Sequence, residues 1–105
     1  MKDKPETMEI TERVRITETD PYGIAHHSCY AVWAEMGLRA LCAGRGAEPA
    51  ITAFDCKYLR SAKAGDEILI RVRPDRADAD SLYRFEILRG QTLLSQGTMT
   101  VGKPE

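Results

Sequence analysis

The sequence predicts an α+β fold in which one helix lies across a five-stranded antiparallel sheet. Three observations support it. A segment of alternating apolar residues comes first, a single stretch with helical spacing follows at residues 29–41, and four further strand-like segments joined by short turns complete the chain. Because the helix has one apolar stripe and each strand one apolar face, the simplest packing wraps the sheet around the helix, leaving a polar outer face.

The first strand is predicted over residues 8–16, where apolar residues alternate with charged and polar ones. The residues expected on its apolar face are Met8, Ile10, Val14 and Ile16. A tight turn follows at residues 20–23, because Pro21 suits the second position of a turn and Gly23 allows a positive φ. Asp20 therefore lies at the junction between the first strand and this turn.

The helix is predicted over residues 29–41, with Ser28 as its N-cap. Glu35 and Arg39 form an i,i+4 ion pair on its polar side. Its end is predicted from the glycines and proline that follow. The residues at apolar helical spacing are Cys29, Trp33, Met36, Ala40 and Leu41, flanked by Tyr30, Val32 and Gly37, and the terminating residues are Gly44, Gly46 and Pro49.

Four strands are predicted in the second half, at residues 50–60, 67–73, 82–88 and 92–101. Turns at 62–66 and 89–91 and a polar loop at 74–81 join them. Gly97, within the last strand, indicates a bulge or a close approach of backbone. The inward residues of the two central segments are predicted to be Ile68, Ile70 and Val72, and Tyr83, Phe85 and Ile87. Residues 1–105 form one domain, with frayed tails at 1–7 and 102–105.

Composition excludes several classes of function. The chain has 105 residues, of which 43% are hydrophobic and 30% charged, so a packed core is expected and disorder is not. The net charge of −1 argues against nucleic acid as a partner. A charged N-terminus and the lack of a long apolar run argue against a signal peptide and a membrane span, so the protein is expected to be cytoplasmic.

Metal binding is not expected. The three cysteines fit no zinc spacing, which indicates reduced and mostly buried thiols. His26 and His27 are adjacent, but neighbouring side chains in an extended segment point apart and no third ligand is evident. No phosphate-binding glycine motif is present, and we expect no cofactor.

Residues 17–41 resemble the hotdog-fold acyl-CoA thioesterases of the 4-hydroxybenzoyl-CoA thioesterase family, and the resemblance extends over roughly residues 8–101. That family has a strand ending in Asp, a turn with Gly, a His or Tyr before an Asn/Ser-Tyr pair, and a helix with an early acidic residue. The matching residues are Asp20, Gly23, His27, Tyr30 and Glu35. A second stretch resembles the family's Tyr-x-Arg-x-Ala-x-x-Gly-Asp segment, through Tyr58, Arg60, Ala62, Gly65 and Asp66. The chain departs from the family in its short segment after the helix, in Cys29 before Tyr30, and in the additional His26.

The resemblance implies hydrolysis of the thioester bond of a small acyl- or aroyl-CoA, with CoA thioester as substrate. Asp20 would act as nucleophile or as general base for water, and the sequence does not separate these roles. The backbone amides of His27 and Ser28, at the helix start, would stabilise the oxyanion. On local sequence alone, Asp20 is a residue that starts a turn.

Further residues have an ordinary structural interpretation beside the functional one. Gly23, Tyr30 and Glu35 are candidate substrate contacts, although Glu35 on local sequence is a solvated helix residue or one that approaches a neighbouring subunit. The His27 imidazole is either a packed side chain or a group that orients Asp20 or contacts the thioester. Arg60 and Lys63 belong to a solvated sheet face or bind the phosphates of CoA. Trp33, Met36 and Cys29 are interpreted primarily as core residues, and the lining of an acyl pocket is their second interpretation.

The alternatives are an acyl-carrier-protein thioesterase and a hotdog protein that binds acyl thioesters without turnover. A hotdog hydratase is disfavoured because its Asp/Asn-His motif is lacking. Edge strands of the sheet need protection, so a homodimer or homotetramer is expected.

Overall fold

The computed structural model describes residues 7–43, 49–75 and 81–102. Within them lie five strands and one α-helix: β1 (Met8–Arg13), α1 (His27–Ala43), β2 (Ala50–Tyr58), β3 (Glu67–Pro74), β4 (Leu82–Arg89) and β5 (Thr92–Gly102), with a short 3₁₀ helix at Ile16–Glu18. The sheet has the order β1-β3-β4-β5-β2, and all neighbouring strands are antiparallel. The predicted architecture of one helix against a five-stranded antiparallel sheet is confirmed.

The core lies between α1 and the centre of the sheet. Alternation in β3 and β4 is confirmed, because Ile68, Ile70, Val72, Tyr83, Phe85 and Ile87 are all buried. The helix comes closest to β3 at Gly37, where an added Cβ would lie 2.6 Å from a methyl carbon of Val72. A glycine at this position therefore allows the close packing of helix on sheet that buries Trp33 and Leu41.

The first strand is shorter than predicted. It ends at Arg13, and Ile16, predicted on the apolar face, is 78% exposed in the 3₁₀ helix. The cause is the turn before β3: the amide of Val14 donates to Asp66 and the amide of Gly65 donates to Val14. These two bonds end the strand and direct the chain away from the sheet.

The helix begins at His27 and not at residue 29, so Ser28 lies in its first turn and is not the N-cap. The amide of His26 donates to the carbonyl of Glu18, and the His26 carbonyl accepts the amide of Cys29. Its buried face is also rotated from the predicted one, with Val32 51% exposed. The buried residues are Tyr30, Trp33, Ala34, Gly37, Leu38, Leu41 and Cys42.

The ends of β2 and β5 also differ from prediction. The amides of Leu59 and Arg60 both donate to the carbonyl of Leu94, so the chain turns after Tyr58 and β2 does not reach residue 60. Gly102, predicted in a frayed tail, is the last residue of β5. Gly97 is a close-approach site as predicted, because an added Cβ would lie 1.8 Å from the Asp55 carbonyl oxygen.

Several predictions lie outside the described residues. They concern the helix end at Gly44 and Gly46, most of the loop at 74–81, and the tails at 1–6 and 103–105. In the part of the chain that the structure describes, no helix has the length and apolar character needed to cross a membrane.

Candidate active site

Asp20 organises the turn that leads into the helix. Its Oδ1 accepts the amides of Tyr22 at 2.9 Å and of Ile24 at 3.0 Å. Its own amide donates to the Ile24 carbonyl, and its carbonyl accepts the amide of Gly23. Gly23 has a φ of +79°, as the turn requires. Within the described residues Oδ2 has no hydrogen bond, so one oxygen of this half-buried carboxylate is structural and the other is available.

The turn is fixed on both sides. Thr19 pairs with Ala25 across the turn, and Ile24 pairs with Lys63 of the segment before β3. The amide of Ala25 donates to Ala62, and the amide of Ala64 donates to Gly23. These bonds hold the Asp20 turn, the helix start and the 62–65 segment in one arrangement.

The first turn of α1 offers unpaired donors. The amide of Cys29 is bonded to the His26 carbonyl, whereas the amides of His27 and Ser28 have no partner among the described residues. Free amides at a helix N-terminus carry partial positive charge and bind a negatively charged oxygen. The two amides named from the sequence are therefore the ones that the structure leaves available.

An aromatic cluster surrounds the helix start. The His27 imidazole stacks on the Tyr58 ring, with centroids 4.0 Å apart and planes 9° apart. The Tyr30 ring presents its edge to both, at 6.2 Å from His27 and 5.2 Å from Tyr58. No described contact joins the His27 imidazole to Asp20, so an orienting role for His27 has no support in this geometry.

Tyr30 is buried and its hydroxyl is engaged. It accepts the amide of Ala62 at 2.9 Å and donates to the carbonyl of Arg60 at 3.4 Å. Burial raises the pKa of this phenol, so it stays protonated. Tyr30 thus fixes the segment after β2 to the helix, and its predicted contact with substrate stays a prediction.

A groove of about 260 Å³ opens beside the helix start. Its lining residues are His27, Tyr30, Tyr58, Leu59, Arg60 and Ser61. Leu59 and Arg60 also line a second groove of about 570 Å³, together with Thr92 and Leu93. Because Leu59 and Arg60 line both grooves, the two grooves are neighbours, and together they are called the cleft below. Asp20 is not among the lining residues of either groove.

The cations near this cleft differ in their partners. Arg89 donates to Asp66 at 2.8 Å and to the Ser61 carbonyl at 3.1 Å. Burial on its own would raise the pKa of the Asp66 carboxyl, but bonds from the Lys63 amide and from Arg89 hold that pKa below its ordinary value. The Arg60 side chain has no partner among the described residues, whereas the positive charge of Lys63 acts on the nearby Asp66 carboxylate. Of the two cations named from the sequence, Arg60 is therefore the one that the described part of the chain leaves available for an anionic ligand.

The remaining candidates lie apart from the cleft or take no part in it. Glu35 pairs with Arg39 at 3.1 Å on the exposed side of the helix, which confirms the predicted ion pair. Cys42 is buried, and Cys29 and Cys56 are half-buried; all three are thiols that are not joined in a disulfide. Burial raises the pKa of the Cys29 and Cys56 thiols. Among the described residues no group of three or more His, Cys, Asp or Glu could hold a metal ion.

Three residues that line the groove beside the helix start were not predicted as site residues. Tyr58 was predicted only as part of the second motif, and Leu59 and Ser61 were not predicted to have a role. Strand periodicity gave no signal for them, because they become neighbours of the helix only through the turn that follows β2. The sequence indicated this region through the second motif, in which Tyr58 and Arg60 flank Leu59.

Comparison with known proteins gives a family match. A model described as the thioesterase superfamily matches residues 22–94, more than half of the chain, beginning two residues after Asp20. The chain is also similar to a 1,4-dihydroxy-2-naphthoyl-CoA hydrolase from Synechococcus sp. (strain CC9605). The two are 29% identical, over 88% of this chain and 73% of that protein.

Solved structures share the fold. A probable thioesterase from Bartonella henselae superimposes with a TM-score of 0.82 at 20% identity, over 94% of this chain and 96% of that one. A 1,4-dihydroxy-2-naphthoyl-CoA thioesterase from Synechocystis superimposes with a TM-score of 0.74 at 12% identity, over 91% and 80%. At these identities the likeness concerns the fold alone.

Proposed function

Since the chain belongs to the thioesterase superfamily, a family of thioester hydrolases, we propose that it hydrolyses the thioester bond of a small acyl- or aroyl-CoA. Asp20 acts on the thioester carbonyl, and the amides of His27 and Ser28 stabilise the oxyanion. The relative at 29% identity is named as the hydrolase of an aroyl-CoA, which supports this class of substrate.

One observation carries the proposal. A carboxylate with one available oxygen, Asp20 Oδ2, lies in the turn that leads directly into a helix start with two unpaired amides, those of His27 and Ser28. A thioester needs a nucleophile or base on one side of its carbonyl carbon and donors for the carbonyl oxygen on the other. The turn and the helix start supply both kinds of group from one continuous segment.

Two routes fit this arrangement. In the first, Asp20 Oδ2 attacks the carbonyl carbon, the C–S bond breaks, and CoA leaves as a thiolate that takes up a proton. Water then hydrolyses the mixed anhydride, releases the carboxylic acid and regenerates the carboxylate. In the second, Asp20 accepts a proton from water as the water attacks the carbonyl carbon, the C–S bond breaks, and the proton passes from Asp20 to the departing thiolate, which restores the carboxylate. In both routes the negative charge on the carbonyl oxygen is stabilised by the helix amides.

The CoA portion is proposed to follow the cleft past Arg60. Arg60 lines both grooves, and its guanidinium has no partner in the described part of the chain. A planar guanidinium binds phosphate oxygens through two parallel hydrogen bonds. Lys63, whose backbone is paired with Ile24 beside the Asp20 turn, supplies a second cation, whose charge also acts on Asp66.

A second copy of the chain is proposed to cover β2. This strand forms an edge of the sheet, and it and the residues after it expose apolar side chains, with Phe54 37%, Tyr58 41% and Leu59 45% exposed. An exposed edge strand with apolar residues pairs readily with another strand. A second β2 paired there would add a wall to the cleft at Tyr58 and Leu59, so dimer formation and the site are linked.

The same geometry favours one alternative. Because Asp20 Oδ1 accepts two amides of its own turn, the residue has a structural role that does not require catalysis, as expected for a hotdog protein that binds thioesters without turnover. Thiol release from a panel of acyl- and aroyl-CoAs, followed with a thiol-reactive dye, tests the proposal. Tight binding of these compounds with no thiol release over hours would select the alternative. The same acyl group on an acyl-carrier protein tests the carrier-protein substrate.

A further inference from the structure

Tyr58 contacts one residue in two ways. Its ring stacks on the His27 imidazole with centroids 4.0 Å apart, and its hydroxyl donates to the His27 carbonyl at 3.4 Å. The two contacts hold both the side chain and the backbone of the first residue of α1. The first turn of a helix has fewer internal hydrogen bonds than its middle. Contacts from outside the helix therefore have a larger effect on the position of its first residues.

The backbone contact bears on the neighbouring amide. The His27 carbonyl and the Ser28 N–H belong to the same peptide group, and a peptide group is planar. A hydrogen bond to the carbonyl therefore restrains the direction of the Ser28 N–H. It also polarises the peptide group and makes that N–H a stronger donor.

The sheet holds the backbone of Tyr58. It is the last residue of β2 and is paired with Ser95 of β5. The chain just after it is fixed to the helix by Tyr30, through the Ala62 amide and the Arg60 carbonyl. Burial raises the pKa of the Tyr58 phenol, so its hydroxyl remains a donor at neutral pH.

We infer that Tyr58 is a positioning residue, which sets the direction and strength of the amide donors at the helix start through its stack on His27 and its bond to the His27 carbonyl. The inference rests on the proposed function, in which these amides stabilise the oxyanion. Tyr58 itself takes no part in bond making or breaking. The end of β2 and the start of α1 are joined at this pair, so the sheet edge controls the geometry of the donors.

The kinetic test uses two substitutions of Tyr58. Tyr58→Leu removes the stack and the hydroxyl, and we expect kcat to fall by about 10-fold or more with KM changed by less than about 3-fold, since an oxyanion donor contributes roughly 10²–10³ in rate and misalignment loses part of it. Tyr58→Phe keeps the ring, and we expect a loss of roughly 3-fold, from the weaker polarisation of the Ser28 amide.

Phe54→Leu is the matched comparison. Phe54 lies on the same strand, is exposed to a similar degree and stacks on Phe85 with ring centroids 5.4 Å apart. Among the described residues it has no ring contact or hydrogen bond with the helix start. The change in kcat of Phe54→Leu shows how much activity is lost when a stacked ring on β2 is removed without any effect on the helix start, through altered folding or subunit contact. A Tyr58→Leu loss no larger than that of Phe54→Leu, or a full kcat in Tyr58→Leu, overturns the inference.

A second measurement does not depend on turnover. In ¹⁵N–¹H spectra, Tyr58→Phe should shift the Ser28 amide resonance while Phe54→Leu leaves it in place. Tyr58→Phe keeps the ring and removes the hydroxyl, whose bond to the His27 carbonyl is its contact with the helix start; its other partner, the Cys56 thiol, lies on β2. An unchanged Ser28 resonance in Tyr58→Phe contradicts the positioning role even in an active enzyme. Wild-type protein that releases no thiol from any acyl-CoA contradicts the proposed function instead, and the spectra still decide whether Tyr58 orients the amide.

Discussion

The Asp20 carboxylate accepts the backbone amide of Ile24 at 3.0 Å through the same oxygen that accepts the amide of Tyr22. The bond closes the turn before the helix and leaves Oδ2 without a partner in the described part of the chain. Since an amide oxygen can accept the same two bonds, asparagine at this position should preserve the turn. Structure and chemistry at Asp20 can therefore be separated by one substitution.

Asp20→Asn should lower kcat for acyl-CoA hydrolysis by roughly 10²–10⁴-fold, the contribution typical of a catalytic base. Its melting temperature should stay within about 2 °C of wild type, because the turn bonds persist. Thiol release and thermal unfolding measure the two effects. The matched control is Asp55→Asn, which changes an exposed carboxylate on β2. An Asp20→Asn variant with undiminished kcat would remove Asp20 from the chemistry.

Arg60→Gln should raise KM for an acyl-CoA by about 10-fold, since one charge-assisted hydrogen bond contributes roughly 1.5 kcal/mol. The same acyl group on N-acetylcysteamine, which lacks the phosphates, should show an unchanged KM. Steady-state kinetics with the two thioesters distinguishes a phosphate contact from a general effect. Arg84→Gln, at a residue already paired with Asp75, is the control. Equal effects of Arg60→Gln on both thioesters would contradict the phosphate contact.

Asp66→Asn should lower the free energy of unfolding by about 1 kcal/mol at pH 7, because it loses its charged partner Arg89 in a partly exposed pair. The folded-state pKa of Asp66 lies below the ordinary value of an aspartate, about 3.9. Its stabilising effect is therefore complete above that value and is lost as pH falls through the lower, folded-state pKa. Urea unfolding from pH 7 to pH 2 should show the two proteins converging only below about pH 4. A constant difference down to pH 2 would contradict this linkage.

Gly97→Ala should destabilise the protein by about 3 kcal/mol or more, since the new Cβ would lie 1.8 Å from the Asp55 carbonyl oxygen and β2 would have to move. Gly90→Ala is the comparison. Gly90 has a φ of +61° but open space around it, so only backbone strain of about 1 kcal/mol is expected. Urea unfolding measures both. Equal losses would show that β2 shifts easily at Asp55.

Wild-type protein should sediment as a multiple of the 11.7 kDa chain, with β2 as the contact. Phe54→Lys should shift the equilibrium toward the monomer, because it places a charge on the exposed apolar face of that edge. Thr11→Lys, on the opposite edge strand β1, should leave the assembly unchanged. Sedimentation velocity over a range of concentrations decides the matter. A wild-type monomer at every concentration contradicts the dimer.

The architecture follows from periodicity. Ile68, Ile70 and Val72 recur at every second position, and this period predicted both β3 and the face that the structure buries, without knowledge of the neighbouring strands. The ends of the elements were less well predicted, because they depend on hydrogen bonds between distant segments. Ile16 continues the apolar alternation of β1, yet the bonds of Val14 with Asp66 and Gly65 end the strand before it.

In the site, too, the residues that are close in sequence were predicted, whereas contacts between distant segments were not. The motif around Asp20, His27 and Ser28 could be identified from the sequence because its residues are close along the chain. Tyr58 lies 31 residues from His27 and reaches it only when β2 packs beside the helix start. The availability of Arg60, in contrast to Arg89, likewise depended on which carboxylates the fold placed nearby.

The sequence by itself determined the order of the elements, the inward faces of β3 and β4, and the segment in which a carboxylate precedes a helix start. Tertiary structure alone decided which oxygen of Asp20 is already bonded, which aromatic ring stacks on His27, and which cations already have a carboxylate partner. The reason is physical: apolar periodicity is a local property of the chain, whereas the partner of each polar group is set by the segments that folding brings together.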